Sequence, residues 1–512
     1  PSVTKKPGLK TKWKVDVLTT YVKGEPKEML KESLEAILAM DYPHETYLCD
    51  EDDDPELKAF CQERGIHHVT RVKKEDAKAG NINNALRTVA KGDICLILDP
   101  DHVVFPNFLD EVLPYFENEK VGFVQVVQAY YNKYENVIAK AAAEQTYQYY
   151  GPIMMTLNTY GSAPAIGANC TFRRKALDSI GGHAAGLTED MHTTLRLHAK
   201  GWKSVYNPVI VAKGLVPWNY SGYCLQQLKW SRGSFGLLFK VFPKVAKKLN
   251  WKQIATFLTV PIFYLSGLFA LVDFLIPVIA LVFGILPIRV SIIGFVLHFA
   301  PLFISRQLIR QFSQRWFYEE HEKGTAFLGG ILFKASWWST LLGFLYSLVN
   351  KKVPYIPTPK DFRYETPWKL LVPNFSVIAL SLFAIIYGLI RDFNPFYLFM
   401  AGLALVNVMI LGMGNLMAMQ HLIIYVHGKL KNTFISKGSK TRRAFFALRH
   451  GLYNRVQRVP IAIGLIIMVV GFFIWNAHQV KKSRELLLSD PVEEMNDPGQ
   501  FFHGTEYTEA GS

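Results

Sequence analysis

Over the first 235 residues, short apolar runs of strand character alternate with amphipathic stretches. The runs are Trp13–Thr20, Glu45–Asp50, His67–Val72, Asp93–Asp99, Val121–Val127 and Ser204–Ala212. The stretches between them, Pro26–Met40, Pro55–Arg64 and Ala79–Val89, repeat their apolar positions at helical spacing. This alternation predicts an α/β domain over residues 13–240, with a mainly parallel sheet covered by helices on both faces. Ligands of such sheets bind beyond the carboxyl ends of the strands. Asp50 and Asp99 both stand at such ends.

From Ile254 the pattern changes. Phe263–Ile285, Val290–Ile309, Leu370–Ile390, Pro395–Val426 and Val459–Ala477 are each long enough to cross a hydrocarbon layer about 30 Å thick. Residues 241–477 are therefore expected to form an α-helical transmembrane domain. Thr325–Asn350 is also apolar, but Lys334 lies in its middle. A lysine there costs about 2.5–3.5 kcal/mol on insertion. It is expected to lie as an interfacial helix in the membrane plane.

Loop charges give an orientation. Tyr425–Val459 carries nine Lys or Arg and no acid, which predicts a cytoplasmic loop. The weakly charged turns at 286–289 and 391–394 are expected outside. Five crossings then put the α/β domain in the cytosol of a multi-pass plasma (inner) membrane protein. The polar tail 478–512 falls outside the cell.

Composition supports this division. Half of the 512 residues are hydrophobic, and the net charge is +15. That charge calls for an anionic partner or surface. Nucleic acid is one candidate, but the basic residues sit beside apolar segments, which points to lipid headgroups and to no nucleic acid. The five cysteines contain no C-x-x-C pair, so neither a zinc site nor a disulfide framework is expected. The chain begins at Pro1 rather than Met, so a native start is expected upstream.

Five groups of residues suggest chemistry. Asp99-Pro100-Asp101 follows the apolar run Ile94–Leu98. Carboxylates at a strand end can hold a divalent cation, Mg²⁺ or Mn²⁺, which neutralises a departing diphosphate. The same tripeptide also reads as a simple turn. Asp50 opens an acidic run and can accept the imide N–H of a uracil, whereas Asp53 and Asp54 read as a solvated loop and helix cap. Lys78 begins a helix with a Gly-containing start, a place for phosphate or for an ordinary surface lysine.

Thr188-Glu189-Asp190 precedes the helical run Met191–Lys200. A carboxylate there can take the proton of an acceptor hydroxyl, although the helix dipole weakens it as a base. Thr188 also reads as an N-cap, but Met191 cannot close a capping box. Finally, Gln226 and Trp230 are four apart and share a helix face, with Lys229 beside them. An indole suits a sugar ring and a lysine suits a diphosphate; interfacial anchoring is the other reading of the tryptophan.

Taken together, Asp50, Lys78–Asn81, Asp99-x-Asp101, Thr188–Asp190 and Gln226-x-x-Lys229-Trp230 resemble the processive family 2 glycosyltransferases of the cellulose synthase type, whose relatives include hyaluronan and chitin synthases. The resemblance covers about residues 13–425. It implies a GT-A type catalytic domain, a UDP-sugar donor, Mg²⁺ or Mn²⁺, inversion at the anomeric carbon, and a growing polysaccharide acceptor that leaves through the membrane domain. It implies that Tyr21 and Asp50 pack on uracil, Lys78 and Asp99 meet the donor, and Asp101 with Asp99 holds the metal. Asp190 becomes the general base, with Glu189 and Thr188 beside it. Gln226, Lys229 and Trp230 then hold the diphosphate and the acceptor sugar. Tyr355–Lys360 stands where cellulose synthases carry a gating loop of the form F-x-V-T-P, so Thr358 is expected to reach the diphosphate from a loop at about 353–360.

Departures bear on the product. Lys229 replaces the arginine of Q-x-x-R-W, Ala165–Asn169 replaces F-F-C-G-S/T, and Asp50-Glu51-Asp52 replaces D-D-G. The expectation is a UDP-glucose-dependent β-glucan synthase, cellulose-like or mixed-linkage. A non-processive lipid-linked glycosyltransferase, a synthase of another β-glycan, and a transporter with an inactive cytosolic domain are the alternatives.

Overall fold

The computed structural model describes residues 3–285, 292–319, 322–324, 326–351, 353, 359–360 and 367–422, with side chains of 292–297 excepted. The ten strands are β1 (Val15–Tyr21), β2 (Glu45–Asp50), β3 (His67–Val69), β4 (Ile94–Ile97), β5 (Val103–Val104), β6 (Val121–Val126), β7 (Ala129–Tyr130), β8 (Cys170–Arg173), β9 (Lys203–Asn207) and β10 (Ala212–Gly214). Seven form one sheet in the order β3-β2-β1-β4-β8-β6-β9.

The sheet is mainly parallel, as expected, with one reversed strand that makes it mixed. β8 runs antiparallel to both β4 and β6 and lies between them. It is four residues long and carries no alternation of its own, so the pattern of the chain did not reveal it. The expected run Ser204–Ala212 is also split. β9 stops before Pro208, which has no N–H for a ladder. Its distal end turns away as β10, the middle strand of a small sheet ordered β5-β10-β7.

Helices form where caps and apolar spacing agree. At Pro55–Arg64, Asp54 accepts the N–H groups of Glu56 and Leu57, Pro55 starts the first turn, and Gly65 closes it in a left-handed conformation. Lys27–Leu38 buries Leu30, Leu34 and Ile37 against β1 and β2, whose residues are buried on both faces.

Among the described residues, one compact unit holds those of 3–275, 292–379 and 408–422. It therefore does not end at the sequence boundary of 240. The cause is visible in Thr325–Asn350, which forms two helices, Phe327–Ala335 and Trp337–Leu348, bent by 48°. The first packs on Val137–Gln148 and the second along Tyr220–Lys240. Gly343 allows that approach, since a Cβ there would fall 2.5 Å from Ser231 Oγ. Lys334 donates to Asp273 at 2.6 Å, so its charge is matched by an acid 61 positions earlier.

A second unit holds, among the described residues, 276–285 and 380–407. Its core is Val278, Leu281, Ala384, Tyr397 and Met400, and Arg391 Nη1 donates to the Val282 carbonyl at 2.8 Å.

Among the described residues, three helices are long and apolar enough to cross a membrane: Ser266–Phe283, Trp368–Arg391 and Pro395–Ala418. The first begins after a break at Leu265, inside the expected run Phe263–Ile285. The helix Ile292–Ser313 covers most of the run Val290–Ile309 and exposes Leu302, Ile304, Leu308 and Ile309. The expected span Val459–Ala477, the basic loop 425–459, the turn 286–289 and the tail lie outside the described residues.

Candidate active site

The loops that leave the carboxyl ends of β1, β2 and β4 surround a cavity of about 590 Å³. The Asp99-Pro100-Asp101 turn follows β4 directly and forms part of its wall. The edge of β10 fixes the turn: the Leu215 N–H donates to Asp101 Oδ2 at 2.8 Å. Lys78, at the start of the helix Ala77–Thr88, donates to Asp99 Oδ1 at 2.5 Å and to the Gly167 carbonyl at 2.8 Å. Both residues thus meet in the cavity.

His102 joins them, a residue the sequence reading passed over. Ligand atoms of Asp99, Asp101 and His102 all lie within 4.8 Å of one another. His102 is buried, and its Nδ1 makes no hydrogen bond; it lies 3.7 Å from Asp101 Oδ1. A buried nitrogen without a hydrogen-bond partner beside Asp101, clustered with the Asp99 carboxylate, is a donor set suited to Mn²⁺ or Mg²⁺. The signal that could have found it was its adjacency to Asp101.

Burial alone would raise the Asp101 pKa. Lys360 and His102 outweigh that and hold it well below the usual carboxylate range. Asp99 is also lowered, by Lys78 against the effect of burial. Lys360 Nζ lies 3.1 Å from Asp101 Oδ1 and 2.8 Å from Glu25. It sits at the end of the expected gating loop; Thr358 itself lies outside the described residues.

Glu189 and Asp190 begin the helix Glu189–Ala199 and also line the cavity. Burial raises the pKa of both. Their mutual repulsion adds to the Glu189 shift, while the Met191 N–H, donating to Asp190 Oδ1 at 2.7 Å, offsets part of the Asp190 shift. The helix start was expected to weaken Asp190 as a base; desolvation wins instead. The other oxygen is left open by Gly167. That residue has φ +86°, and a Cβ on it would fall 3.2 Å from Asp190 Oδ2. Thr188 makes no capping hydrogen bond, and its side chain packs against Gly233 rather than forming the wall.

Gln226, Lys229 and Trp230 reach the cavity from the helix Tyr220–Lys240, which Asn219 caps by accepting the Gly222 N–H at 2.9 Å. Lys229 is nearly buried. Burial pulls its pKa down to about 8, with Glu189 and Asp99 working the other way.

Two expected donor contacts are not brought to the cavity. Asp50 is fully buried beneath it, and both its oxygens are used. They accept from Asp52 N–H at 2.9 Å and Asp54 N–H at 2.7 Å, and meet His68 Nε2 at 2.9 Å. Asp50 thus ties its loop to β3, and Glu51, paired with Arg71 at 2.8 Å, lines the wall in its place. Tyr21 is likewise turned into the core beneath the sheet.

The chain is similar to known proteins. A glycosyltransferase-like family 2 model matches residues 17–233, and a cellulose synthase model matches residues 178–319. The UDP-forming cellulose synthase catalytic subunit of Pseudomonas fluorescens (strain SBW25) is 26% identical over 394 residues, 73% of this chain and 51% of that protein. That of Xanthomonas axonopodis pv. citri (strain 306) is 29% identical over 263 residues, 49% of this chain and 36% of its own length. The chain therefore spans about half, or less, of the relatives it matches. A solved mannosyltransferase of Pyrobaculum calidifontis, in complex with GDP-Man and Mn²⁺, overlays with a TM-score of 0.44 at 17% identity, covering 68% of this chain and 90% of that one. Between them the glycosyltransferase-like family 2 model and the cellulose synthase model match residues 17–319 in turn, and over that stretch the chain is similar to both families.

Proposed function

We propose that this chain is a membrane-bound, inverting, processive glycosyltransferase that builds a β-glucan from UDP-glucose and passes it across the membrane. The observation that carries this reading is the meeting of Asp99, Asp101, His102, Asp190, Gln226, Lys229 and Trp230 around one cavity. The apolar helices and the positive loop charge support a plasma (inner) membrane location with the catalytic domain in the cytosol.

Asp99, Asp101 and His102 would hold Mg²⁺ or Mn²⁺, which when bound neutralises charge on the diphosphate. Asp190 takes the proton of the acceptor hydroxyl. The hydroxyl oxygen attacks the anomeric carbon, the bond from that carbon to the phosphate oxygen breaks, and its electron pair leaves with UDP. Its raised pKa makes Asp190 a stronger base than an exposed aspartate, and the gap at Gly167 admits the hydroxyl. Lys229 and Lys78 supply positive charge toward the diphosphate. Trp230 offers the acceptor sugar a flat apolar face.

Asp190→Asn keeps the side-chain shape but removes the base. UDP binding should stay within about twofold while transfer falls by at least about a hundredfold, the size of a general-base contribution. UDP release from UDP-glucose, together with sizing and linkage analysis of radiolabelled product, tests both parts. Normal polymer from the variant would refute the base; a labelled lipid with no polymer from the wild type would refute processivity.

A further inference from the structure

His102 is held from behind by two amides. Its Nε2 lies 2.7 Å from the Gln128 side-chain amide, and Gln128 Oε1 lies 3.1 Å from Asn169 Nδ2. Gly214 closes on the ring, since a Cβ there would fall 2.4 Å from the imidazole Cε1. Asn169 is fully buried at φ +54°, and its carbonyl accepts from Gln125 Nε2 at 3.2 Å. The row of three side chains ends at both sides in a buried atom without a hydrogen bond: His102 Nδ1 and Asn169 Oδ1.

A neutral imidazole carries one proton. Nδ1, on the Asp101 side, can bind a cation only with a bare lone pair, so the proton must sit on Nε2 with an acceptor behind it. A half-turn of an amide exchanges its oxygen and nitrogen at almost the same positions. With Gln128 Nε2 toward His102 and Asn169 Nδ2 toward Gln128, the proton is forced onto Nδ1. With both amides turned, Nε2–H donates to Gln128 Oε1, Gln128 N–H donates to Asn169 Oδ1, and Nδ1 is bare.

We propose that the Gln128–Asn169 amide pair selects the His102 tautomer and thereby sets the affinity of the site for a divalent cation. Gln128 is then a positioning residue: it acts on the cation only through the imidazole. The inference rests on reading Asp99, Asp101 and His102 as the cation site.

Mn²⁺ titration of the full chain in nanodiscs with UDP present, followed by electron paramagnetic resonance, tests it without turnover. Gln128→Leu should raise the Mn²⁺ Kd about 10- to 100-fold, the range seen when a ligand's outer partner is lost. Gln128→Glu keeps an acceptor behind Nε2–H and should bind at least as tightly as the wild type, which a merely structural role would not give. In a His102→Ala background, Gln128→Leu should cost nothing further. Wild-type affinity in Gln128→Leu, failure of Gln128→Glu to restore binding, or a full extra loss in the His102→Ala background would overturn the proposal alone. Absence of saturable Mn²⁺ binding by the wild type would overturn the cation site and the proposal together.

Discussion

Raising the pH above 8 should loosen the hold on UDP through Lys229. In the empty cavity burial lowers this ammonium to about 8 from an ordinary 10.5. A diphosphate beside it favours the charged form and moves the pKa back up. The sign follows: below pH 8 the lysine is already charged, and binding moves no proton. Above pH 8 it is mostly neutral, and binding must take one up. Between pH 7 and pH 9 the charged fraction falls about tenfold, so the apparent UDP Kd should rise about tenfold, or about 1.4 kcal/mol. Calorimetry at pH 9 in two buffers of different ionisation enthalpy should report close to one proton taken up per UDP. Lys229→Arg stays charged throughout and should bind with no such slope; Lys229→Met should bind weakly at both pH values. Equal wild-type affinity at pH 7 and pH 9, or the same slope in Lys229→Arg, would refute the reasoning.

Two further substitutions separate roles within the site. Gly167→Ala puts a methyl 3.2 Å from Asp190 Oδ2 at a φ of +86°. It should cost about 1–2 kcal/mol of stability by thermal unfolding and lower kcat more than tenfold, with UDP affinity nearly unchanged; unchanged kcat would show that the hydroxyl does not approach from that side. Asp50→Asn weakens three buried hydrogen bonds, from His68 and from the N–H groups of Asp52 and Asp54. It should destabilise the protein by about 1–3 kcal/mol, and a loss of UDP affinity at unchanged melting temperature would return Asp50 to the role of base contact.

The parts of the site that were legible in the sequence are those whose geometry is local. Asp99 and Asp101 follow an apolar strand, Asp190 opens a helix, and Gln226, Lys229 and Trp230 share a face at helical spacing. What failed depended on partners distant along the chain. Asp50 does end its strand, but His68 and the turn to Asp54 consume its oxygens, and nothing in the spacing says so. His102 stands next to Asp101 in the sequence, but its setting is completed when β10 brings Gly214 against its ring and Leu215 against Asp101, more than a hundred residues later. The antiparallel β8 is set by two neighbouring strands rather than by its own four residues.

The balance of charge favours the proposed role of these acids in catalysis over a role in stability. Asp99, Asp101, Glu189 and Asp190 face one cavity with Lys78, Lys229 and Lys360. Buried ions of this kind add little to folding, and apolar side chains in their place would serve a fold as well or better. Yet the acids are not treated alike. Lysines and an imidazole hold Asp99 and Asp101 below the ordinary range, while desolvation lifts Glu189 and Asp190 above it. Carboxylates that stay charged are ready for a cation; carboxylates whose charge is costly are ready for a proton. In the proposed reaction these two acid pairs, displaced in opposite directions around one cavity, would divide the labour before any substrate arrives.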